Sequence, residues 1–160
     1  MSTRHSSARK FLASARLKHF ALVASRFNQP ITRLLVRQAV HTLRRHGVPA
    51  SHIRLYWVSG AFELPVAAGR IAHALHPDAV LALGALIKGQ TTQHEVIARS
   101  VAQGLTYVSV TTGIPVGFGV IIAENALQAR ARAGGRMGNR GMEAAEAVLD
   151  ALRLIESLPR

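Results

Sequence analysis

The chain has 160 residues, of which 49% are hydrophobic, and this combination indicates one folded domain rather than two domains or a disordered chain. The absence of cysteine excludes disulfide bonds, thiolate nucleophiles and cysteine-based zinc sites, and it is consistent with a cytoplasmic protein. A formal net charge of +12 is typical of nucleic-acid-binding proteins. Aromatic residues, on which proteins stack single-stranded bases, make up only 5% of the chain. A phosphorylated small molecule or an acidic neighbouring subunit explains local arginines equally well.

The chain begins with a basic, serine-rich segment. We expect residues 1–17 to form a flexible arm and residues 18–160 to form one α/β domain. The arm has no continuous apolar segment of the kind that a secretory signal contains. No apolar run in the sequence approaches the roughly 20 residues of a membrane-spanning helix.

The first half of the domain alternates strand and helix patterns. The apolar run at residues 19–25 predicts a strand, and apolar residues at helical spacing from Ile31 predict a helix that stops at Gly47. Residues 53–58 predict a second strand. A second helix is predicted for residues 63–75, where a proline is tolerable in the first turn.

The second half is centred on the continuous apolar run at residues 79–87, which is typical of a strand buried on both faces. A helix is predicted for residues 93–102, closed by Gly104, and further strands are predicted for residues 107–111 and 115–122. The remaining predicted elements are helices at residues 124–133 and 142–158. This alternation predicts a parallel sheet with helices on both faces.

Ligands of such sheets bind beyond the carboxyl ends of the strands. The candidate binding segments are therefore the stretches that follow the predicted strands, at residues 26–28, 59–63, 88–94 and 118–124.

The loop Gly89-Gln90-Thr91-Thr92 lies between the central strand and a helix. Free backbone N–H groups at a helix start attract anions, and the threonine hydroxyls add donors, so this loop is a candidate phosphate site. It lacks the ending of a nucleotide-binding P-loop. An ordinary strand-to-helix turn with threonine caps explains the same residues.

His94 and Glu95 open the helix after this loop. A histidine beside an anion site is a candidate proton donor or acceptor near neutral pH. The chain has eight histidines, so a surface histidine without function is the competing interpretation. No pair of histidines has a convincing metal-ligand spacing.

Other candidate residues lie in the remaining loops. Phe27 and Phe118 could hold a planar ring between them, and Arg132 could bind a phosphate, although Phe118 also fits a core position and Arg132 a solvated helix surface. The stretch at residues 59–65 combines a glycine with Glu63, which suits a polyol or a heterocycle edge and equally suits a simple turn.

Five segments in this order and spacing resemble the lumazine synthase family over about residues 20–157. They are RFNQPIT (26–32), SGAFELP (59–65), ALGALIKGQTT (82–92), PVGFGVI (115–121) and RAGGRMGNRG (132–141), followed by EAAEAVL (143–149). The resemblance implies a flavodoxin-like three-layer sandwich, assembly into pentamers, and active sites at subunit interfaces. It also implies condensation of 5-amino-6-(D-ribitylamino)uracil with 3,4-dihydroxy-2-butanone 4-phosphate, without a metal or an organic cofactor.

The resemblance also implies roles for individual residues. Phe27 stacks on the pyrimidine, Glu63 reaches ribityl hydroxyls, and Phe118 joins the pocket from the neighbouring subunit. The other residues expected to bind the ribitylaminouracil are Ala61, Phe62, Ala85, Leu86 and Ile87. The phosphate is expected to meet Gln90, Thr91 and, from the adjoining subunit, Arg132.

One departure from the family pattern concerns proton transfer. Gln93 stands where the family has its proton-donating histidine, and His94 follows one residue later, which is about 100° of rotation along a helix. A divergent branch of the family has its histidine shifted likewise. We therefore expect His94 to be the acid/base group, with Glu95 as its orienting partner; a lumazine- or flavin-binding protein without efficient turnover is the competing hypothesis.

Overall fold

Four parallel strands form the centre of the structure, which is a computed structural model that describes residues 15–135 and 137–159. They are β1 (Phe20–Ser25), β2 (Ile53–Val58), β3 (Ala79–Ile87) and β4 (Val116–Ala123), and their spatial order is β2-β1-β3-β4. Both neighbours of β3 run parallel to it, and all its residues except Ile87 are buried. The prediction of a central strand at residues 79–87 is therefore confirmed.

The helices cover both faces of this sheet. They are α1 (Gln29–Arg45), α2 (Leu64–Leu75), α3 (Gln93–Thr112), α4 (Ala126–Arg132) and α5 (Arg140–Ser157), with a 3-10 turn at Ala61–Glu63 before α2. One core layer joins α1 and α5 to one face of the sheet, and a second layer joins α2 and α3 to the other face. The predicted three-layer α/β fold is confirmed.

One predicted strand is wrong. Residues 107–111 belong to α3, which continues to Thr112 and ends where Gly113 adopts a φ of 70°. The β-branched residues of this segment suggested a strand. The buried positions of the whole helix, which include Ala98, Val101, Leu105 and Val108, follow a helical spacing that continues into the segment. Gly104 lies inside α3 and does not end it. A Cβ at this position would lie 2.8 Å from the Cβ of Pro65, so the glycine allows α3 to pack closely against α2.

The start of the described chain is held against the domain. Ala15 is fully buried in the layer that α1 and α5 form, and Lys18 lies 3.2 Å from Asp78 and 2.8 Å from Glu156. Residues 1–14 of the expected arm lie outside the described residues.

Candidate active site

The loops that follow β1, β2 and β3 meet around a cavity of about 400 Å³. This follows from the parallel arrangement, because the carboxyl ends of all strands lie at one edge of the sheet. The lining residues are Phe27, Gly60, Ala61, Phe62, Glu63, Ala85, Leu86, Ile87, Gly89, Thr91, Gln93, His94 and Ile97. Most of the residues expected to bind substrate therefore share one cavity; Gln90 is exposed and does not line it.

Phe27 is held at the cavity by its backbone. Its N–H donates to the carbonyl oxygen of Ser59 at 2.9 Å, and the N–H of Arg26 donates to that of Val58 at 2.8 Å. These bonds extend the pairing of β1 with β2 beyond the strands. Phe27 is 70% exposed, so a single chain leaves this aromatic residue accessible to a planar ligand.

Asn28 joins the Phe27 loop to the end of β3. It lies in the candidate segment at residues 26–28, but no role of its own was predicted for it from the sequence. It adopts a left-handed conformation, with a φ of 58°, and its Nδ2 donates to the carbonyl oxygen of Ala85 at 2.8 Å. Asparagine tolerates this conformation better than most residues, and that preference in a turn is the signal that could have identified it.

Glu63 is oriented by its own turn. One carboxylate oxygen, Oε2, accepts a hydrogen bond from the N–H of Gly60 at 2.7 Å. A carboxylate has acceptor capacity for several donors, so Glu63 can still bind hydroxyl groups in the cavity.

The expected phosphate loop is open to solvent. Residues 88–92 are exposed, and Thr91 lines the cavity at the start of α3. The ammonium group of Lys88 lies 2.8 Å from Oε2 of Glu124, which follows β4. Their hydrogen bond lowers the pKa of Glu124 and raises that of Lys88. The charge of Lys88 is therefore paired within the chain, and Gly89 and Thr91 are the residues of this loop that line the cavity.

His94 is buried rather than displayed on the surface. It is only 6% exposed, it lines the cavity, and its Nδ1 has no hydrogen-bond partner within the described part of the chain. A buried ring nitrogen without a hydrogen-bond partner costs free energy, which makes this position unusual for a residue with only a structural role. Gln93 also lines the cavity but is exposed.

Glu95 is not brought into the cavity. Its carboxylate lies 3.8 Å from Arg99, one turn further along α3. Consecutive helix residues do not face each other, which explains why Glu95 and His94 diverge.

Phe118 and Arg132 lie at a second cavity, of about 320 Å³, on the outer side of β4. Its lining residues are Phe118, Val120, Ile121, Ile122, Gln128, Arg132 and Arg140, and none of them lines the first cavity. β4 is an edge strand that pairs only with β3, and Phe118 is 40% exposed on it. In a single chain the expected site residues are therefore divided into two groups.

Gln128 and Arg140 line this second cavity although the sequence did not single them out. Oε1 of Gln128 accepts a hydrogen bond from the N–H of Glu124 at 2.6 Å, which fixes the amide and leaves its NH₂ group as a donor. Gln128 precedes Arg132 by four residues, so both lie on one face of α4. That spacing was visible in the sequence.

Within residues 15–135 and 137–159, no cluster of three or more His, Asp or Glu side chains is arranged to bind a metal ion. No helix there is long and apolar enough to cross a membrane.

Comparison with known proteins agrees with the geometry. The family model described as 6,7-dimethyl-8-ribityllumazine synthase matches residues 18–156. Proteins of that name from Halorhodospira halophila and Chlorobium phaeobacteroides are each 46% identical to the chain, over 139 and 141 residues. These matches cover 87% and 88% of this chain and 89% and 91% of the relatives. A relative of the same name from Leuconostoc mesenteroides is 38% identical over 141 residues, which is 88% of this chain and 90% of the relative.

The matched region contains both cavities and every residue assigned to them. The chain therefore belongs to the 6,7-dimethyl-8-ribityllumazine synthase family, the transferases of riboflavin biosynthesis.

Proposed function

We propose that the chain condenses 5-amino-6-(D-ribitylamino)uracil with 3,4-dihydroxy-2-butanone 4-phosphate at sites that two neighbouring copies complete. The observation that supports this is the division of the site residues between two cavities with no shared lining residue. A head-to-tail interface brings one surface of a copy against a different surface of the next, and repetition of such an interface closes a ring. The cavity at Phe27 in one copy then faces the cavity at Phe118 in its neighbour.

The first cavity holds the ribitylaminouracil. Phe27 stacks on the pyrimidine ring through its exposed face, and Glu63 accepts hydrogen bonds from ribityl hydroxyls. The remaining contacts come from Ala61, Phe62, Ala85, Leu86 and Ile87. Phe118 of the neighbouring copy covers the ring from the other side.

The phosphate of the second substrate binds between the two copies. One copy supplies Gln90 and Thr91 from the loop before α3, where free N–H groups favour an anion. Its neighbour supplies the Arg132 guanidinium, which can pair with two phosphate oxygens. The fixed NH₂ group of Gln128 lies one turn before Arg132 and adds a donor.

The reaction is well suited to a site that positions two reactants. An amine of the uracil attacks the ketone and water leaves, which gives a Schiff base. Phosphate is then eliminated, and attack by the second amine closes the ring with loss of water. Holding the reactants together removes much of the entropic barrier. His94 transfers the protons, because it is buried at the cavity and its Nδ1 has no partner within the described part of the chain.

Apolar surface supports assembly of copies. On the exposed side of α3, Val96, Tyr107 and Val110 are 63%, 71% and 78% exposed, and Ile122 on the edge strand is 49% exposed. Large apolar side chains grouped on a surface mark protein interfaces. Together with the family resemblance, this supports a homo-oligomer built from pentamers, which we expect to act in the cytoplasm.

The test is to mix the two substrates with the purified protein and follow lumazine absorbance and phosphate release. We expect both signals well above the spontaneous rate. Binding of lumazine or flavin without phosphate release would instead identify a binding protein, and this would overturn the proposal. Light scattering on the same sample should give a mass of several chains, and a monomer at assay concentration would contradict the shared site.

A further inference from the structure

The exposed side of α1 carries a row of positive charges. Arg33, Arg37 and Arg44 are exposed and follow a helical spacing, and His41 and Arg45 are exposed beside them. Arg33 and Arg44 are 11 residues apart, about 16 Å along a helix axis. The helix sequence QPITRLLVRQAVHTLRR contains no acidic residue.

In the described part of the chain, no acidic side chain is ion-paired with Arg33, Arg37 or Arg44. The sequence has eight Asp and Glu residues, and all of them lie in the described part. Six are ion-paired with a lysine or an arginine: Asp78 and Glu156 with Lys18, Glu95 with Arg99, Glu124 with Lys88, Glu143 with Arg140, and Asp150 with Arg153. A seventh, Glu146, lies 3.1 Å from Nε2 of His46. The eighth, Glu63, is bound to the Gly60 N–H in the active-site cavity. The charge on α1 is therefore available to a partner from outside the chain.

The row suits one class of partner better than others. The apolar side of α1, at Ile31, Leu35 and Leu43, is buried in the core, so the helix has no apolar face to insert into a bilayer. The exposed side carries no Phe, Tyr or Trp, the side chains that most often stack on single-stranded bases or anchor a protein interface. A duplex nucleic acid presents a rigid row of phosphates, with one charge per roughly 1.7 Å of its axis, and arginine binds phosphate oxygens in pairs.

We propose that α1 binds the phosphate backbone of double-stranded DNA, independently of base sequence, through Arg33, Arg37 and Arg44. None of these residues lines either cavity of the active site. They lie on the layer formed by α1 and α5, whereas His94 lies on the α3 side of the sheet. DNA binding and lumazine synthesis are therefore separate properties of the chain.

The test measures binding of the full-length protein to a short DNA duplex of random sequence over a range of salt concentrations. The variant R33Q/R37Q/R44Q removes three charges from α1. The matched control R16Q/R54Q/R70Q removes three exposed arginines elsewhere and has the same net charge. Lumazine formation by both variants shows that they are folded, because none of the six residues belongs to the proposed active site.

We expect the wild-type chain to bind the duplex with steeply salt-dependent affinity. Each lost phosphate contact should reduce the magnitude of the slope of log K against log salt by about 0.9. The slope of the α1 variant should therefore be smaller by about 2.7 than that of the wild type, whereas the slope of the control should not change. Equal losses in the two variants would mean that only total charge matters, and this would overturn the proposal. Absence of wild-type binding at low salt, or stronger binding to the corresponding single strand, would also overturn it.

Discussion

Asn28 and Ala85 are joined by a 2.8 Å hydrogen bond from the side-chain Nδ2 of Asn28 to the carbonyl oxygen of Ala85. The bond connects the loop after β1 to the carboxyl-terminal end of β3, and Phe27 directly precedes Asn28 in that loop. Asn28 also has a φ of 58°, in the left-handed region. Asn28 thus links the loop that carries Phe27 to the end of β3 that lines the cavity.

Substitution of Asn28 should separate the contribution of its hydrogen bond to stability from that of its left-handed backbone conformation. Asn28→Ala loses the hydrogen bond, worth about 1 kcal/mol, and places alanine in a conformation that costs about 1–2 kcal/mol. Asn28→Gly loses only the bond, because glycine adopts the conformation freely. Chemical unfolding should therefore show a larger loss of stability for alanine, and both variants should raise KM for the uracil substrate. Equal stabilities would show that backbone conformation does not matter here.

Proton transfer should depend on His94 more than on Gln93. Both residues line the cavity, but Gln93 is exposed and its amide is no proton-transfer group, whereas His94 is buried and carries an imidazole ring, the side chain most often used for general acid–base catalysis. General acid–base catalysis contributes about 10²–10⁴-fold, so His94→Ala should reduce kcat by at least the lower end of that range while Gln93→Ala has a smaller effect. His94→Gln serves as the size-matched variant. Equal rates for His94→Ala and Gln93→Ala would reject the assignment.

Gln128 should contribute to phosphate binding through its NH₂ group. Gln128→Glu keeps an oxygen that can accept the Glu124 N–H, but it replaces the donor with a negative charge. A hydrogen bond to a charged group is worth about 1.5–3 kcal/mol, so KM for the butanone phosphate should rise at least about tenfold. The thermal midpoint should stay close to that of the wild type. Arg132→Gln should have a similar or larger effect on the same KM, and an unchanged KM in Gln128→Glu would limit the residue to a structural role.

The Lys18 ion pairs should make stability depend on pH in the alkaline range. The hydrogen bond to Glu156, with a further contribution from Asp78, raises the pKa of Lys18 above its ordinary value of 10.5. A raised pKa in the folded state means that the stabilisation is fully present below pH 10.5 and is lost as the pH rises through the folded pKa.

Lys18→Met should therefore be less stable than the wild type at neutral pH, by about 0.5–1 kcal/mol. Denaturant unfolding at a series of pH values should show the two curves converging above the folded pKa. A difference that stays constant at all pH values would attribute the effect of Lys18 to packing of its alkyl chain rather than to charge.

Much of the sheet was predictable because a buried strand has a continuous run of apolar residues in the sequence. The run at residues 79–87 is apolar on both faces of β3, which is typical of a central strand of a parallel sheet. The segment at residues 107–111 was misleading, because its β-branched residues suit a strand and only contact with α2 and β4 selects the helix.

The sequence also predicted part of the candidate site. The strand-end rule and the family motifs identified Phe27, Glu63 and His94, which share one cavity. The Asn28 bond to Ala85 joins residues 57 positions apart, and the burial of His94 depends on packing; neither is encoded in local pattern.

The shared site is tested most directly by mixing two inactive variants. A His94→Ala copy retains an intact Arg132 cavity, and an Arg132→Gln copy retains an intact His94 cavity. If each site is built by two copies, random co-assembly of equal amounts should restore about one quarter of the interfaces. We predict that co-refolded mixtures recover about a quarter of the wild-type rate of lumazine formation, whereas each variant alone is strongly impaired. A mixture no more active than the average of its two components would contradict a site completed by a neighbouring copy.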